Sequence, residues 1–211
     1  MNLSHAHAAS ENQSNQVVIE TAFPKPLKQL NLSAEWVNQD SSAETDDSDV
    51  NDGISYEYFD NEDVILGING GKKIKSKKAS LRVLEKQLIT FAKGKSSEVP
   101  LLSESIGITA DDWNEFKEAG FSIEPKMTHV VIKGQEWLKT KMLTQIEITY
   151  SETIETVDGI ETTETVSFIP LISNVYYSFI KGAIYMVSFA APSDQYATYE
   201  SLFESTMQNL Y

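Results

Sequence analysis

Four stretches hold residue types at spacings that bear on chemistry. Asp47-x-Asp49-x-Asn51 resembles the opening of a calcium loop. That loop needs glycine at its sixth position and a bidentate Glu at its twelfth. Asp52 and Tyr58 stand there instead, so the EF-hand reading fails and a solvated acidic loop is the expectation. Gly67-Ile-Asn-Gly-Gly-Lys-Lys73 brings glycines and lysine together as a phosphate loop does. A phosphate loop needs four residues between its glycines and a Ser or Thr after the lysine, to reach Mg²⁺. Three residues separate Gly67 from Gly71, and Lys73 follows Lys72, so a glycine turn is expected.

The third stretch is cationic. Lys72, Lys73, Lys75, Lys77, Lys78, Arg82 and Lys86 fall within fifteen residues. Such a patch suits an acidic partner or lipid headgroups; its plainer reading is a solvated strand edge and helix start, where lysine discourages edge pairing. The fourth feature is His129, set between Thr128 and Val130 with no second His or Cys nearby. A general base or metal ligand needs partners, so a hydrogen-bonded strand histidine is expected. Asp111, Asp112 and Glu115 open a helix, where carboxylates complement the dipole, and need no acid-base role.

Composition narrows the classes further. A formal net charge of -14 opposes nucleic-acid phosphates and anionic membrane surfaces. The absence of cysteine excludes disulfides, thiol catalysis and Cys-zinc sites. No apolar run is long enough for a transmembrane helix. Neither a catalytic nor a cofactor or metal motif is present, and the expectation is a non-enzyme without cofactors. Ala6-His7-Ala8 has the small-x-small pattern of a signal-peptidase site, followed by a polar leader.

The elements that would position these residues follow from periodicity. Residues 1–16 read as a disordered leader and 17–211 as a single α+β domain. From Gln29 to Gly71 there is no Lys or Arg against eleven Asp and Glu, densest in an acidic insertion at 40–53. Strands are expected at 17–23, 27–36, 54–59, 63–68 and 126–132, with an acidic turn at 60–62. Ser80 caps a helix to Lys93, with Leu81, Leu84, Leu88 and Phe91 on one face and Gly94 as its stop. A loop covers Lys95 to Ile108. Thr109-x-x-Asp112 starts a second helix that Gly120 stops, with Trp113 and Phe116 sharing its buried face.

Two hairpins and a helix close the chain. Asp158-Gly159 is read as the first turn, so that Ile148 faces Ile169 and Ile146 faces Leu171. Its tip, Ser151 to Thr165, is rich in Thr and Glu and projects into water. Lys181-Gly182 is read as the second turn, with Phe179 opposite Ile184 and Tyr177 opposite Met186. Both faces of that pair are apolar, which places it centrally. Ser193 is expected to cap a helix carrying Tyr196, Tyr199, Phe203, Met207 and Leu210.

Gly182-Ala-Ile-Tyr185-Met-Val187-Ser-Phe189-Ala-Ala-Pro192, leading to Tyr199 and Phe203, resembles the C-terminal half of Mog1/PsbP-like domains, bacterial DcrB-type members included. Over about 70 residues the match is to packing pattern, and elsewhere to element order. The resemblance implies an antiparallel sheet with helices packed on both faces, an α/β/α sandwich. It also implies binding or assembly roles, and export or lipid anchoring. The family opens with an aromatic-rich strand and a Pro-x-x-Trp-like turn; here Trp36 is followed by the acidic insertion.

Together these features lead us to expect a non-enzymatic, extracytoplasmic (periplasmic or envelope-associated) domain with a protein partner. Its candidate interaction surface is Asp46, Asp47, Asp49 and Asp52 with Lys72, Lys73, Lys75, Lys77 and Lys78. The alternative is an acidic immunity-type protein that neutralises a basic toxin, a pairing in which charge steers association. A hydrolase or metal enzyme using His129 would require carboxylates to converge on it.

Overall fold

The computed structural model describes residues 16–21, 23–25, 27–33, 35–38, 54–58, 61–156 and 159–210. Among them the strands are β1 (Gln16–Glu20), β2 (Gln29–Ser33), β3 (Trp36–Asn38), β4 (Ile54–Tyr58), β5 (Asn61–Gly70), β6 (Ser122–Ile123), β7 (Thr128–Ile132), β8 (Gln135–Thr156), β9 (Gly159–Ile180) and β10 (Ala183–Pro192). The helices are α1 (Leu81–Ala92), α2 (Pro100–Ile106), α3 (Ala110–Glu118) and α4 (Tyr196–Asn209).

One antiparallel sheet runs β3-β4-β5-β10-β9-β8-β6, with β7 also on β8, and β1-β2 form a separate two-stranded sheet. The centre is β10, because it is apolar on both faces. Tyr185, Val187 and Phe189 point into one core with Leu66, Ile68, Phe203 and Met207. Ile184 points into the other with Leu84, Leu88, Leu102, Trp113 and Tyr177. The first face is covered by α4 and the β1-β2 hairpin, the second by α1, α2 and α3. The expected α+β sandwich, with helices on both faces of an antiparallel sheet, is the observed architecture.

Local chemistry places these elements. Leu81, Leu84, Leu88 and Phe91 are buried on one side of α1, and Ser80 is its N-cap. In α3, Thr109 and Asp112 form a complete capping box. Trp113 is buried there and donates to Ser103 Oγ at 2.9 Å, whereas Phe116 is exposed at the rim, edge-on to Trp113. Lys181 and Gly182 both take positive φ, as a two-residue type I′ turn demands. The pairs Ile184–Phe179 and Met186–Tyr177 form as expected.

Several expectations are corrected. Residues 95–108 are not all loop, since Pro100 opens the short helix α2, with proline at its first turn. Gly67 and Gly70 are not in a turn. They lie within β5, where Cβ atoms would meet Ser188 Oγ at 2.8 Å and the Tyr185 ring at 2.7 Å. Asn61 and Glu62, placed in a turn, begin β5; Asp60 lies outside the described residues. Ser193 does not cap α4: Gln195 occupies that position, and the Ser193 N–H donates to Pro170 O. In the first hairpin Thr156 pairs with Gly159, so Ile146 faces Ile169 and Ile148 faces Ser167. Glycine entered the strand rather than the turn, and the register moved by two residues. A shift of two keeps every residue on its face.

Candidate functional site

The lysine stretch is held by its backbone. Gly71 follows β5 and lies against α2, where a Cβ would be 2.1 Å from Ser105 Oγ. Buried Ser105 accepts from the Ile184 N–H at 3.0 Å and donates to Lys72 O at 3.2 Å. The Ile74 N–H donates to Gly182 O at 2.8 Å, with the Ile74 side chain buried, and the Lys75 N–H donates to Glu104 Oε1 at 2.7 Å. The result is a pinned, extended connection from β5 to α1 that exposes Lys72, Lys73, Lys75, Lys77 and Lys78. It is a connector rather than a strand edge. The acidic half of the expected surface, Asp46, Asp47, Asp49 and Asp52, lies outside the described residues.

His129 has partners after all, supplied by two other elements. Its Nδ1 lies 2.8 Å from Glu136 Oε1 on β8, and its Nε2 lies 3.2 Å from Glu85 Oε2 on α1. Both acceptors are satisfied only by the imidazolium, which donates from both nitrogens. The hydrogen bond to Glu85 is the main cause that raises the His129 pKa above 6.5, with Glu136 adding to it. The carboxylates sit on opposite ring nitrogens, so the three groups cannot converge on one cation. Among the described residues no cluster of His, Asp or Glu has the arrangement to hold a metal ion.

A second polar array lies under α4. Lys139 and Lys141, on β8, pair with Glu204 at 2.8 Å and Glu200 at 3.0 Å. The hydrogen bond from Lys141 holds the Glu200 carboxyl below its usual range. These pairs clamp α4 to the sheet. The described surface also has shallow grooves. One of about 320 Å³ is lined by Phe91, Lys117, Phe121 and Ile123; another of about 300 Å³ is lined by Val130, Lys139, Tyr176 and Glu204. Neither gathers an acid, a base and a nucleophile.

The least conventional feature is the β8-β9 hairpin. Pairing of β10 with β9 stops at Pro192–Leu171, and β6 leaves β8 at Leu143. Beyond those points residues 145–156 and 159–170 pair only with each other among the described residues, save that Pro170 O accepts from the Ser193 N–H. On the α4-side face of this ribbon and its base, Val166 is 50% exposed, Phe168 59% and Leu143 41%. Exposed Pro170 lies between Phe168 and half-buried Ile172, the cross-strand partner of Leu143. The rows of Val166 and Phe168 lie beyond the end of β10, where no layer among the described residues covers them; the row of Leu143 and Ile172 is the last but one that β10 still joins, through Ala191.

No protein-family model matches the chain, and neither does any curated protein. Among solved structures, the solution structure of cyanobacterial PsbP (CyanoP) from Synechocystis sp. PCC 6803 superposes with a TM-score of 0.51 at 10% identity. The alignment covers 98% of this chain and 97% of that one. The fold is PsbP-like. A protein of unknown function from Pseudomonas aeruginosa aligns at a TM-score of 0.46 and 10% identity, over 93% of this chain and 96% of that one. The alignment with CyanoP is not confined to the C-terminal half, where the sequence resemblance was strongest. At this identity the likeness is one of fold.

Proposed function

We propose that this chain is a non-enzymatic binding or assembly domain that contacts a protein partner. We further propose that it is an exported or envelope-associated bacterial protein of the DcrB type. The observation that carries the reading is the concentration of exposed apolar side chains, Leu143, Val166 and Phe168, on one face of the hairpin. Clustered apolar surface marks an interaction site. The lysine connector, at the Gly182 end of β10, and the acidic residues Asp46, Asp47, Asp49 and Asp52 are the candidate polar contacts for such a partner. The runner-up, an acidic immunity-type protein facing a basic toxin, draws on the net charge of -14.

A photo-crosslinking amino acid placed at Phe168, Lys75 or Thr90 in native cells tests the reading. We expect a discrete protein adduct from Phe168 or Lys75 and none from Thr90 on α1. Absence of any protein adduct at both sites would sink it. Fractionation of the same cells addresses location: an adduct found only in cytosol, with a basic protein, would favour the runner-up.

A further inference from the structure

The six acids of residues 145–170 are Glu147, Glu152, Glu155, Asp158, Glu161 and Glu164, and that span contains no Lys, Arg or His. Its described part, residues 145–156 and 159–170, is the ribbon that leaves the sheet. Twelve residues per strand at about 3.4 Å each give it a reach of about 40 Å. Sheet edges are usually guarded by shortness, by lysine, by proline or by a covering element. Here both edges run long, Pro170 is the only proline, and no lysine is present. Among the described residues no third strand lies along either edge.

We infer that this ribbon is an arm that takes a basic polypeptide segment in extended form along its edge. Phe168 and Val166 are the apolar anchors. The inference rests on the protein-binding reading above and names its surface and the chemistry of its partner. Three features of the arm act together. Open backbone edges supply main-chain hydrogen bonds to any strand laid beside them, which is the strand-addition mode of recognition. The apolar stripe supplies a side-chain contact, with an aromatic residue at its most exposed point. The charge supplies selection: two acidic arms repel each other and the rest of a chain of charge -14, whereas a cationic strand is attracted. Glutamates therefore do for self-pairing what lysines do on other edges, while leaving the edge open to one class of partner.

The test uses the whole chain and a fluorescein-labelled dodecapeptide that alternates lysine with valine and threonine, read by anisotropy. A matched peptide with glutamate for lysine is the control. The lysine peptide should bind, more weakly as salt is raised, and the glutamate peptide should not. Phe168→Ser with Val166→Ser should weaken binding by about tenfold or more, as loss of an aromatic anchor does. Lys93→Ser with Lys95→Ser, at exposed positions after α1, should leave it unchanged.

Excision of 147–168, with Asn-Gly joining Ile146 to Ile169, should abolish binding in a folded body. If that body does not fold, the double serine substitution decides between the outcomes. Several results would overturn the inference: no binding of the lysine peptide, binding that survives excision or the double substitution, or equal binding of both peptides. Self-association or attachment to phosphatidylcholine vesicles that disappears on excision would also overturn it, giving the arm to a second copy or to lipid. An adduct at Lys75 without one at Phe168 in native cells would remove the arm and leave the protein-binding reading standing.

Discussion

Protonated His129 ties α1 to β8 through Glu85 and Glu136. Its pKa is raised in the fold, so this tie contributes fully below the unfolded value of about 6.5 and is lost as pH rises through the folded one. His129→Gln should therefore lower the melting temperature at pH 6 and lose its effect in alkaline buffer. The difference is expected below about 1 kcal/mol, because the group is partly exposed to water. Glu200 and Asp112 work in the opposite sense. Lys141 lowers the first, and the Thr109 backbone N–H, then its hydroxyl, lowers the second. Their contributions are present above the unfolded carboxylate range and disappear as pH falls through the lowered values. At Gly71, alanine would set its Cβ against the Ser105 hydroxyl and carbonyl. Gly71→Ala should cost about 1–3 kcal/mol or more in denaturant unfolding. Gly94→Ala, at φ +65° with open space around it, should cost only about 1 kcal/mol.

At the level of elements, legibility followed the strength of local physics. Helix α1 was readable because four apolar residues recur at three and four, and α3 because its capping box is written in Thr109 and Asp112. Helix α2 was not: seven residues give no periodicity, and Pro100 serves equally as a loop residue or a helix start. The second hairpin was readable to the residue because Lys181-Gly182 meets the backbone demand of its turn. The first was displaced because Gly159 tolerates a strand position as well as a turn. Beyond Pro170, which still accepts from the Ser193 N–H, β9 pairs only with β8 among the described residues, and a lone two-stranded ribbon is marginally stable. Hydrogen exchange should show the amides of 147–156 and 159–168 exchanging at least about tenfold faster than those of 174–180. Equal protection in both regions would mean that the arm is covered.

Across the whole molecule, charge is the dominant unbalanced quantity. An excess of fourteen negative charges destabilises the compact state by self-repulsion, and salt screens it. The melting temperature should rise by a few degrees as NaCl increases from about 10 mM to about 300 mM. A flat response would mean that the acidic residues are locally compensated. The candidate surface was half legible at this scale. Cationic residues in an irregular stretch are exposed wherever the chain runs, so Lys72 to Lys78 were found from type alone. The exposure of Val166 and Phe168 was hidden, because it depends on where a strand from another part of the chain stops.

The central place of β10 also bears on how the protein is made. β10 is the seam of the sheet, and of the described strands it is the last in chain order. Its partners on one side, such as Gly70 for Tyr185, were synthesised more than a hundred residues earlier. Until β10 emerges, β3-β4-β5 and β6-β7-β8-β9 are two half-sheets with apolar edges and no common core. Closing so long a loop is also slow. A nascent chain arrested before Ala183 is therefore expected to remain protease-sensitive throughout, and one extended through α4 to become resistant in a single step.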